Sequence, residues 1–391
     1  MPQSFRLYHV IETKKRRGPK DGTRCNAMKV VVFCPNLIGD TVMATPALRA
    51  LRREYPKARL LGVIKPNVAP TLDGLSRLDE MIEFDPKSNV KAHRSKAVWN
   101  RLREERADLA VLFPNSIRSA LLAWSAGIPR RIGYDRGGRG ILLTDRLTVE
   151  RDTHGKRLPV PAVEYYLAIV RGLGCRVDSV RLELATTEQD EHGADRVWNE
   201  LGLFADKPVV CLNTGGAFGP AKNWPVEYFS TLARRLVEEA GVRVLVVCGP
   251  SERETASVIV AGADHPDVVS LSEQNLSIGL TKASVKRSRL MITTDSGPRH
   301  FAAAFGVPVI ALFGPTHIAW TRTNHPHALH LHQPVPCGPC QKPVCPLGHH
   351  RCMTELTPDA VFHAARRMLP RLGSPARLDL ASSPATFSGG E

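Results

Sequence analysis

The sequence predicts an α/β fold made of two similar halves, each a parallel β-sheet covered by helices on both faces. The first observation is the length of 391 residues, which exceeds the usual size of one domain. The second is that short apolar runs alternate with helix-like segments from residue 28 onward. The third is that this alternation restarts near residue 207. Strands that alternate with helices pair in parallel, so each half is expected to be a doubly wound domain.

The first half begins with the apolar run MKVVVFC, which is typical of a buried strand. Alternating strand-like and helix-like segments follow as far as residue 174. The predicted strands are 28–34, 58–64, 81–85, 109–114 and 130–134, and the predicted helices are 46–56, 98–108, 117–127 and 160–174.

The second half repeats this pattern, which gives two Rossmann-like domains of similar size. The polar stretch LATTEQDEHGAD at 184–195 is expected to link them. A segment rich in Pro, Cys and His, at 325–352, precedes the last helix. The predicted strands are 207–215, 243–249, 289–294 and 307–314, and the predicted helices are 227–241, 251–262, 298–306 and 358–369.

Five regions follow from these segments. We expect a basic leader at 1–27, a first domain at 28–184, a second domain at 185–356, a C-terminal helix at 357–370 and a polar tail at 371–391. The leader and the tail lack a periodic apolar pattern, so both are predicted to be disordered. An alternative for the leader is that Met28 is the true start and the preceding residues are a gene-calling artefact.

The composition is that of a soluble globular protein with a strong positive charge. Apolar residues make up 43% of the chain, and the net charge is +15. No apolar run reaches the roughly 18 residues needed to span a bilayer, and no signal sequence is evident, so the protein is expected in the cytoplasm. The charge indicates an acidic partner: nucleic acid, an anionic membrane surface or a phosphorylated substrate.

Ligands of doubly wound sheets bind beyond the carboxyl ends of the strands, so the strand-to-helix loops are candidate sites. The first such loop, PNLIGD, carries one carboxylate, Asp40, ahead of the helix-start signal Thr45-Pro46. Asp40 is therefore expected in a loop or in one irregular turn. It is either a general base toward a hydroxyl group or a helix-end residue that meets the helix dipole.

A second candidate loop, NTGGAFGPAKNWP, follows the first strand of the second half. Its three glycines allow the backbone to approach a ligand closely, and Lys222 supplies a mobile positive charge that suits phosphate. Neither the P-loop spacing nor the G-x-G-x-x-G pattern is present. The loop either binds an anion or is a glycine-rich turn with an exposed lysine.

The third loop lies in MITTDSGPRHFAAAFG, where Pro298 is expected to start a helix. The backbone N–H groups of Ser296 and Gly297 are then at a helix N-terminus, which carries partial positive charge and binds phosphate. Phosphate would be repelled by Asp295, so this carboxylate is expected to accept hydrogen bonds from sugar hydroxyls. The alternatives are that Ser296 is an N-cap and that His300 is satisfied by a neighbouring backbone group.

A further carboxylate follows strand 243–249 in the stretch GPSERE. A carboxylate shortly after such a strand often accepts hydrogen bonds from ribose hydroxyls, and Glu252 is preferred over Glu254 for this role. Glutamates in a first helical turn are also common because of the helix dipole alone.

The nine cysteines fall into two groups. Those expected to be reduced core residues are scattered: Cys25, Cys34, Cys175, Cys211 and Cys248. The others cluster in CGPCQKPVCPLGHHRC: Cys337, Cys340, Cys345 and Cys352. Their first pair has a zinc-like C-x-x-C spacing, but the later gaps are shorter than in common zinc ribbons. Structural zinc, a disulfide and buried thiols stay open, and the expectation is that no metal is bound.

Four blocks, taken in order, resemble glycosyltransferase family 9, the heptosyltransferases. The blocks are LIGDTVMATPALRAL, GPAKNWP, TTDSGPRHFAAAFGVPVIALFGPT and CGPCQKPVCPLGHHRCM, and the resemblance spans about residues 28 to 370. It implies the GT-B fold, in which two Rossmann-like domains face each other across a cleft. The second domain then holds the nucleotide sugar, and a final helix returns to the first domain.

The resemblance also implies an inverting enzyme that needs no metal or other cofactor. The implied donor is ADP-L-glycero-β-D-manno-heptose, and the implied acceptor is a heptose or Kdo on the lipid A core. Asp40 matches the family's catalytic aspartate, and Lys222 matches its diphosphate-binding lysine. The positive charge then suits the phosphorylated lipid core and peripheral contact with the anionic inner face of the cytoplasmic membrane. Together with the loop chemistry, the expected donor-binding residues are Thr214, Gly216, Lys222, Glu252, Asp295, Ser296, Gly297 and His300.

Three other functions stay open. A family 9 enzyme that moves a different sugar onto a different glycan fits the same blocks. A nucleotide-sugar sensor without catalysis is disfavoured by the presence of Asp40. A basic nucleic-acid-binding protein with a zinc module is more distant, because it needs aromatic stacking platforms or a continuous basic stripe and neither is evident. We therefore expect no nucleic-acid partner.

Overall fold

The computed structural model describes residues 10–11, 28–151, 153–155, 157–204, 207–216 and 218–369. Apart from residues 10–11, the basic leader lies outside the described residues, and so does the polar tail at 371–391. The described chain forms two predominantly parallel sheets with helices packed against them.

The first sheet lies in the N-terminal half. Its strands are β1 (Val10–Ile11), β2 (Lys29–Phe33), β3 (Arg59–Ile64), β4 (Glu80–Glu83), β5 (Leu109–Leu112), β6 (Arg130–Tyr134) and β7 (Asp145–Leu147). The helices of this half are α1 (Ile38–Met43), α2 (Thr45–Glu54), α3 (Ser95–Glu105), α4 (Ile117–Ser125) and α5 (Ala162–Gly172). Across the described residues the strand order is β1-β7-β6-β5-β2-β3-β4, with β1 alone antiparallel to its neighbour. The chain thus changes direction across the sheet between β2 and β5.

The second sheet repeats this topology. Its strands are β8 (Val209–Asn213), β9 (Arg243–Val247), β10 (Val268–Ser270), β11 (Leu290–Thr294), β12 (Val309–Phe313) and β13 (Ala328–His332). The helices are α6 (Glu188–Glu200), α7 (Val226–Ala240), α8 (Arg253–Ala263), α9 (Ile278–Arg287), α10 (Arg299–Phe305), α11 (Ile318–Thr321), α12 (Arg351–Thr354) and α13 (Pro358–Met368). In the part of the chain that is described, the order is β10-β9-β8-β11-β12-β13 and all neighbours are parallel. Here the change of direction lies between β8 and β11.

The central strands are buried on both faces, as a parallel sheet covered by helices requires. In β2, Val30 and Val32 belong to the apolar cluster that contains Leu48 of α2, whereas Val31 belongs to a second cluster with Leu102 of α3. The predicted two-domain α/β architecture is therefore confirmed. Among the described residues, every helix is too short or too polar to cross a bilayer.

The predicted linker at 184–195 is wrong beyond residue 187, because α6 begins at Glu188. Thr187 and Asp190 form a capping box: the Thr187 hydroxyl accepts from the Asp190 N–H at 3.1 Å, and the Asp190 carboxylate accepts from the Thr187 N–H at 2.9 Å. Trp198 is buried on the same helix. The polar stretch is therefore the exposed start of a packed helix, and the domain boundary at 184–185 stays a prediction.

The final helix also departs from its predicted place. We expected it to return to the first domain, but α13 packs against α7 of the second domain. The Arg235 guanidinium of α7 lies 4.1 Å from the ring centroid of Phe362, and the Trp224 indole donates to the Leu356 carbonyl at 2.7 Å just before α13. Apolar burial and these two contacts hold the helix on the second domain.

The domains touch each other through a buried lysine as well as across the cleft. Lys282 of α9 is fully buried, and its ammonium donates to the Asp73 carbonyl of the first domain at 3.0 Å. It also pairs with Asp190 of its own domain at 3.4 Å. A buried charge is retained only where it is paired or hydrogen-bonded, so this contact fixes how the domains meet.

Candidate functional site

The two points at which the sheets change direction face each other. The loop after β2 carries Asp40, and the loops after β8 and β11 carry Lys222 and Asp295. Contact is direct, because a Cβ atom built on Gly39 would lie 3.0 Å from Cδ2 of His300 and 3.2 Å from Cα of Gly297. A side chain at residue 39 would therefore push His300 or the Gly297 backbone away by a few tenths of an ångström. The structure thus brings the predicted residues of both halves to one cleft.

Asp40 lies in the first turn of α1, close to the irregular turn that was predicted. Burial raises the pKa of its carboxyl group to about 6, and Lys222 across the cleft partly offsets this rise. Among the described residues, no hydrogen bond to its carboxylate is found. A carboxylate with uncommitted oxygens and a pKa near 6 is suited to take a proton at neutral pH.

The expectation that Thr45 caps the following helix is wrong. The N-cap of α2 is Ala44, and the Thr45 hydroxyl instead donates to the Val42 carbonyl at 2.7 Å. The same hydroxyl accepts from the Glu183 N–H at 3.1 Å. Thr45 therefore connects α1, through its bond to Val42, with the irregular segment around Glu183 that leaves the first domain.

Lys222 and Asp295 form a buried ion pair. The Lys222 ammonium donates to Oδ2 of Asp295 at 2.7 Å and to the Asp295 carbonyl at 2.9 Å. It also lies 4.6 Å from the ring centroid of Phe218. The side chains of Lys222 and Asp295 are only 13% and 5% exposed, so the alternative of an exposed lysine on a bland turn is wrong.

The Asp295 carboxylate is surrounded by further protein donors. The hydroxyls of Thr316 and Thr321 donate to it at 2.8 and 3.2 Å, and Nε of Arg299 lies 3.2 Å away. Burial acts to raise the pKa of Asp295, but Arg299 and Lys222 outweigh it and hold the pKa at about 2. In this state the carboxylate orients Lys222, and its expected bonds to sugar hydroxyls stay a prediction.

Ser296 is not a helix N-cap, because the N-cap of α10 is Pro298. Its hydroxyl accepts from the Asn213 amide at 2.9 Å and lies 2.9 Å from the Thr293 hydroxyl. A Cβ atom on Gly216 would lie 3.3 Å from Cβ of Ser296. The loops after β8 and β11 are therefore locked together, with Gly216 at their contact.

Three buried polar atoms at this place have no hydrogen-bond partner within the described chain: Oγ1 of Thr214, Oγ1 of Thr294 and Nδ1 of His300. Burial, followed by the charge of Arg299, holds the pKa of His300 well below its usual range, so the imidazole is neutral. The expectation that a backbone group satisfies the ring is not met at Nδ1. Unpaired buried polar atoms are costly, and a bound ligand is one way to satisfy them.

Glu252 lies in a 3₁₀ turn, Pro250–Glu252, beside the loop after β8. Its Oε2 accepts a hydrogen bond from the Gly249 N–H at 2.8 Å, so one of its two carboxylate oxygens caps the start of this turn. Its Oε1 occupies the space where a side chain on Gly215 would be, so a larger residue at 215 would displace the Glu252 carboxylate. A role for Glu252 toward ribose stays a prediction.

Several residues at the site were missed. Asn213 is the last residue of β8 and Thr316 lies three residues after β12, and a polar residue at the end of a buried strand was the available signal. The burial of Arg139 in the first domain was also not predicted: this residue is fully buried and donates to the carbonyls of Tyr134 and Ser116 at 2.9 and 3.3 Å. The stretch RGGRG contains no pattern that marks Arg139 as buried.

The structure confirms the expected burial of the scattered cysteines but not that of the clustered ones. Four of the five scattered cysteines are buried and free, which confirms their place in the core, whereas Cys25 lies outside the described residues. In the C-terminal cluster Cys337 is exposed and the other three are partly buried, so the alternative of four buried thiols is wrong. No disulfide joins the described cysteines, and no three metal-binding side chains among the described residues already converge on one point.

Comparison with known proteins agrees with this geometry. The family model described as glycosyltransferase family 9 (heptosyltransferase) matches residues 95–350. Lipopolysaccharide heptosyltransferase 2 of Escherichia coli K12 is 27% identical over 352 residues, which cover 88% of this chain and 99% of that protein. The solved structure of E. coli ADP-heptose lipopolysaccharide heptosyltransferase II is 25% identical with a TM-score of 0.71, and covers 88% of this chain and 98% of that one.

The solved glycosyltransferase family 9 structure from Veillonella parvula has the same fold, with a TM-score of 0.73 at 24% identity over 88% of this chain and 97% of that chain. These likenesses and the two facing sheets confirm the predicted GT-B fold. The family model spans well over half of the sequence and includes the donor-side loops. This chain belongs to glycosyltransferase family 9, the heptosyltransferases.

Proposed function

We propose that this enzyme transfers heptose from ADP-L-glycero-β-D-manno-heptose to a heptose or Kdo of the lipopolysaccharide inner core. The similarity to heptosyltransferase 2 across most of both chains supports this donor and this acceptor class. The observation that carries the chemistry is Asp40, a carboxylate that faces the donor-side residues and whose pKa is raised to about 6. A base of this kind suits the deprotonation of a sugar hydroxyl.

In the proposed reaction, the acceptor hydroxyl oxygen attacks the anomeric carbon from the face opposite the diphosphate. Asp40 takes the hydroxyl proton as the new C–O bond forms and the bond from the anomeric carbon to the diphosphate oxygen breaks. The bonding electrons leave with ADP, and attack from the opposite face inverts the anomeric configuration. The approach of Gly39 to His300 places the α1 turn against the donor side, which serves to exclude water.

The donor side supplies positive charge and hydrogen bonds to the leaving group. Lys222, held by Asp295, would neutralise the diphosphate, which is the contribution that a metal ion makes in other transferases. The backbone at Ser296 and Gly297 would donate to phosphate oxygens. The unsatisfied Thr214 hydroxyl and the close backbone at Gly216 give the remaining donor contacts, and Glu252 is assigned to the ribose.

The test is product analysis by mass spectrometry, with purified enzyme, ADP-heptose and a panel of core acceptors. We expect a heptose-sized mass gain on an inner-core acceptor. Asp40→Asn should abolish this gain while ADP-heptose still binds in calorimetry, because the amide cannot take the proton. Near-normal turnover of this variant would remove Asp40 from the role of base, and transfer from a different nucleotide sugar would reassign the donor.

We further propose that the enzyme contacts an anionic membrane surface through the outer face of α4. Ile117, Leu121 and Trp124 recur at helical spacing and are each about half exposed, and Ile141 beside them is 81% exposed. The neighbouring Arg118 adds an exposed positive charge. An apolar face with an aromatic residue and basic neighbours suits the interface of anionic lipids, where a lipid-anchored acceptor resides.

Sedimentation with vesicles tests this contact. Wild-type protein should sediment with vesicles that contain phosphatidylglycerol and much less with neutral vesicles. The double variant Leu121→Ser with Trp124→Ser should lose most of this binding, whereas Val258→Ser, which removes a half-exposed apolar residue from α8, should not. If both variants bind the anionic vesicles equally well, the membrane contact is not on the outer face of α4.

A further inference from the structure

The clustered cysteines surround one small cavity near the surface of the second domain. All four sulfur-bearing residues line it: Cys337, Cys340, Cys345 and Cys352. Its volume is about 20 Å³, which is room for a single water-sized particle. Four cysteines drawn from sixteen residues of chain therefore line one space of the size of an ion.

The chain turns tightly after Cys345. The Gly348 N–H donates to the Cys345 carbonyl at 3.3 Å, and Gly348 and His350 adopt positive φ values of 70° and 53°. This turn brings His349 and His350 back to the wall of the cavity, which both histidines line together with the four cysteines.

The two histidines of the segment are already engaged by protein groups. Nδ1 of His349 accepts from the Arg351 N–H at 3.1 Å, so its Nε2 carries the proton and lies 3.9 Å from the Cys337 sulfur. Nε2 of His350 lies 2.7 Å from the Ala221 carbonyl oxygen, to which it must donate. His349 thus supports a cysteine sulfur in the way that residues around metal ligands commonly do.

From this arrangement we propose that Cys337, Cys340, Cys345 and Cys352 bind one Zn²⁺ or iron ion as a tetrahedral four-thiolate site. The sulfurs do not yet converge on one point among the described residues, so binding turns them into the cavity about their Cα–Cβ bonds. Partly exposed side chains make such a rotation at little cost. Four cysteines and no carboxylate line the cavity, and four thiolates in tetrahedral geometry select zinc or iron.

The cavity adjoins the loops that hold Lys222 and Asp295. The Pro343 carbonyl accepts from the Ala221 N–H at 3.0 Å, and the Gln341 N–H donates to the Pro315 carbonyl at 2.8 Å. Ala221 precedes Lys222, and Pro315 precedes the threonine that bonds to Asp295. A metal ion would therefore brace both loops from behind without touching substrate. This consequence rests on the proposed function, whereas metal binding itself does not.

Metal analysis of the full-length protein tests the site directly. Protein is purified under reducing conditions from cells grown with added zinc or iron. Elemental mass spectrometry should then find one metal ion per chain. The double variant Cys340→Ser with Cys345→Ser should fall to background, whereas Cys175→Ser, a cysteine of the core, should keep the metal. Equal substoichiometric metal in all three proteins would mean an adventitious ion only and would overturn the proposal.

A second measurement covers the case in which the double variant does not fold. Reduced, metal-depleted wild-type protein titrated with Co²⁺ should develop thiolate-to-cobalt charge-transfer absorption and the ligand-field bands of a tetrahedral site, saturating at one ion per chain. A featureless spectrum, or a disulfide between these cysteines in the purified protein, would contradict the proposal.

If the ion braces the loops, its removal should raise KM for the donor and leave the pH dependence of turnover unchanged. If neither the metal-loaded nor the metal-depleted protein has transferase activity, the proposed function is refuted, whereas the proposal that a metal is bound is unaffected.

Discussion

Replacing Asp40 by asparagine is expected to stabilise the fold while it removes the general base. Burial raises the pKa of this carboxyl group from its ordinary value of 3.8 to about 6 in the folded protein. Between these values the folded state binds more protons than the unfolded state. Stability therefore falls as the pH rises from about 4 to about 6, and it stays reduced above that window. The ionised carboxylate is thus a destabilising group that the cleft retains for its chemistry.

The size of the stability change follows from the shift in the pKa of Asp40. A rise of about 2 pKa units corresponds to about 3 kcal/mol of lost stability at pH 7, and to about 1.5 kcal/mol at pH 5, where part of the penalty has been relieved by protonation. Asparagine has a similar shape and no charge, so Asp40→Asn should recover up to these amounts. For a domain of this size, 3 kcal/mol corresponds to a rise of roughly 6 to 12 °C in the midpoint of thermal unfolding.

Scanning calorimetry of both proteins between pH 5 and pH 8 measures the difference. The gain of the variant should be largest at pH 7 to 8 and about half as large at pH 5. Asp264→Asn is the matched control, because Asp264 is almost fully exposed and its replacement should leave the midpoint unchanged at every pH. The reasoning fails if Asp40→Asn is no more stable than wild type at pH 7, or if its gain does not depend on pH.

Four further predictions can be checked with the same assays. Wild-type turnover should fall about tenfold from pH 7 to pH 5, because only about one tenth of Asp40 is ionised there; a flat profile would argue against it as the base. Lys222→Ala should weaken ADP-heptose binding and lower turnover together, and an unchanged donor KM would reject its phosphate role. Gly39→Ala places a methyl group 3.0 Å from His300, so turnover should drop several-fold with a stability loss of about 1 to 3 kcal/mol. Asp295→Asn should cost about 3 to 5 kcal/mol, because it leaves the Lys222 ammonium buried without its partner charge.

Much of the fold could be predicted from local patterns. The apolar runs at β2, β5, β8 and β11 are buried on both faces, so their composition identifies them as strands without knowledge of their neighbours. The βα alternation then implies parallel sheets, and the position of ligand sites at strand ends points to the loops. Asp40, Lys222 and Asp295 were candidates for that reason, before any contact between them was known.

Local patterns failed where elements are short or are stabilised from elsewhere. Strands β7 and β10 have three residues each, too few to show a period, and the edge strand β13 is only partly buried. The exposed first turns of α6 resemble a linker because its apolar residues lie further along the helix. The docking of α13 on α7 is set by packing partners far away in sequence, which no local window contains.

The sequence by itself determined the class of fold, the family and the chemical groups at the strand ends, because these depend on local periodicity and on residue type. Only the tertiary structure decided how those groups pair. It placed Lys222 on Asp295 rather than in solvent, raised the pKa of Asp40 by burial and brought four cysteines around one cavity. Such properties arise from distances and desolvation between residues that are far apart along the chain, and they exist only in the folded protein.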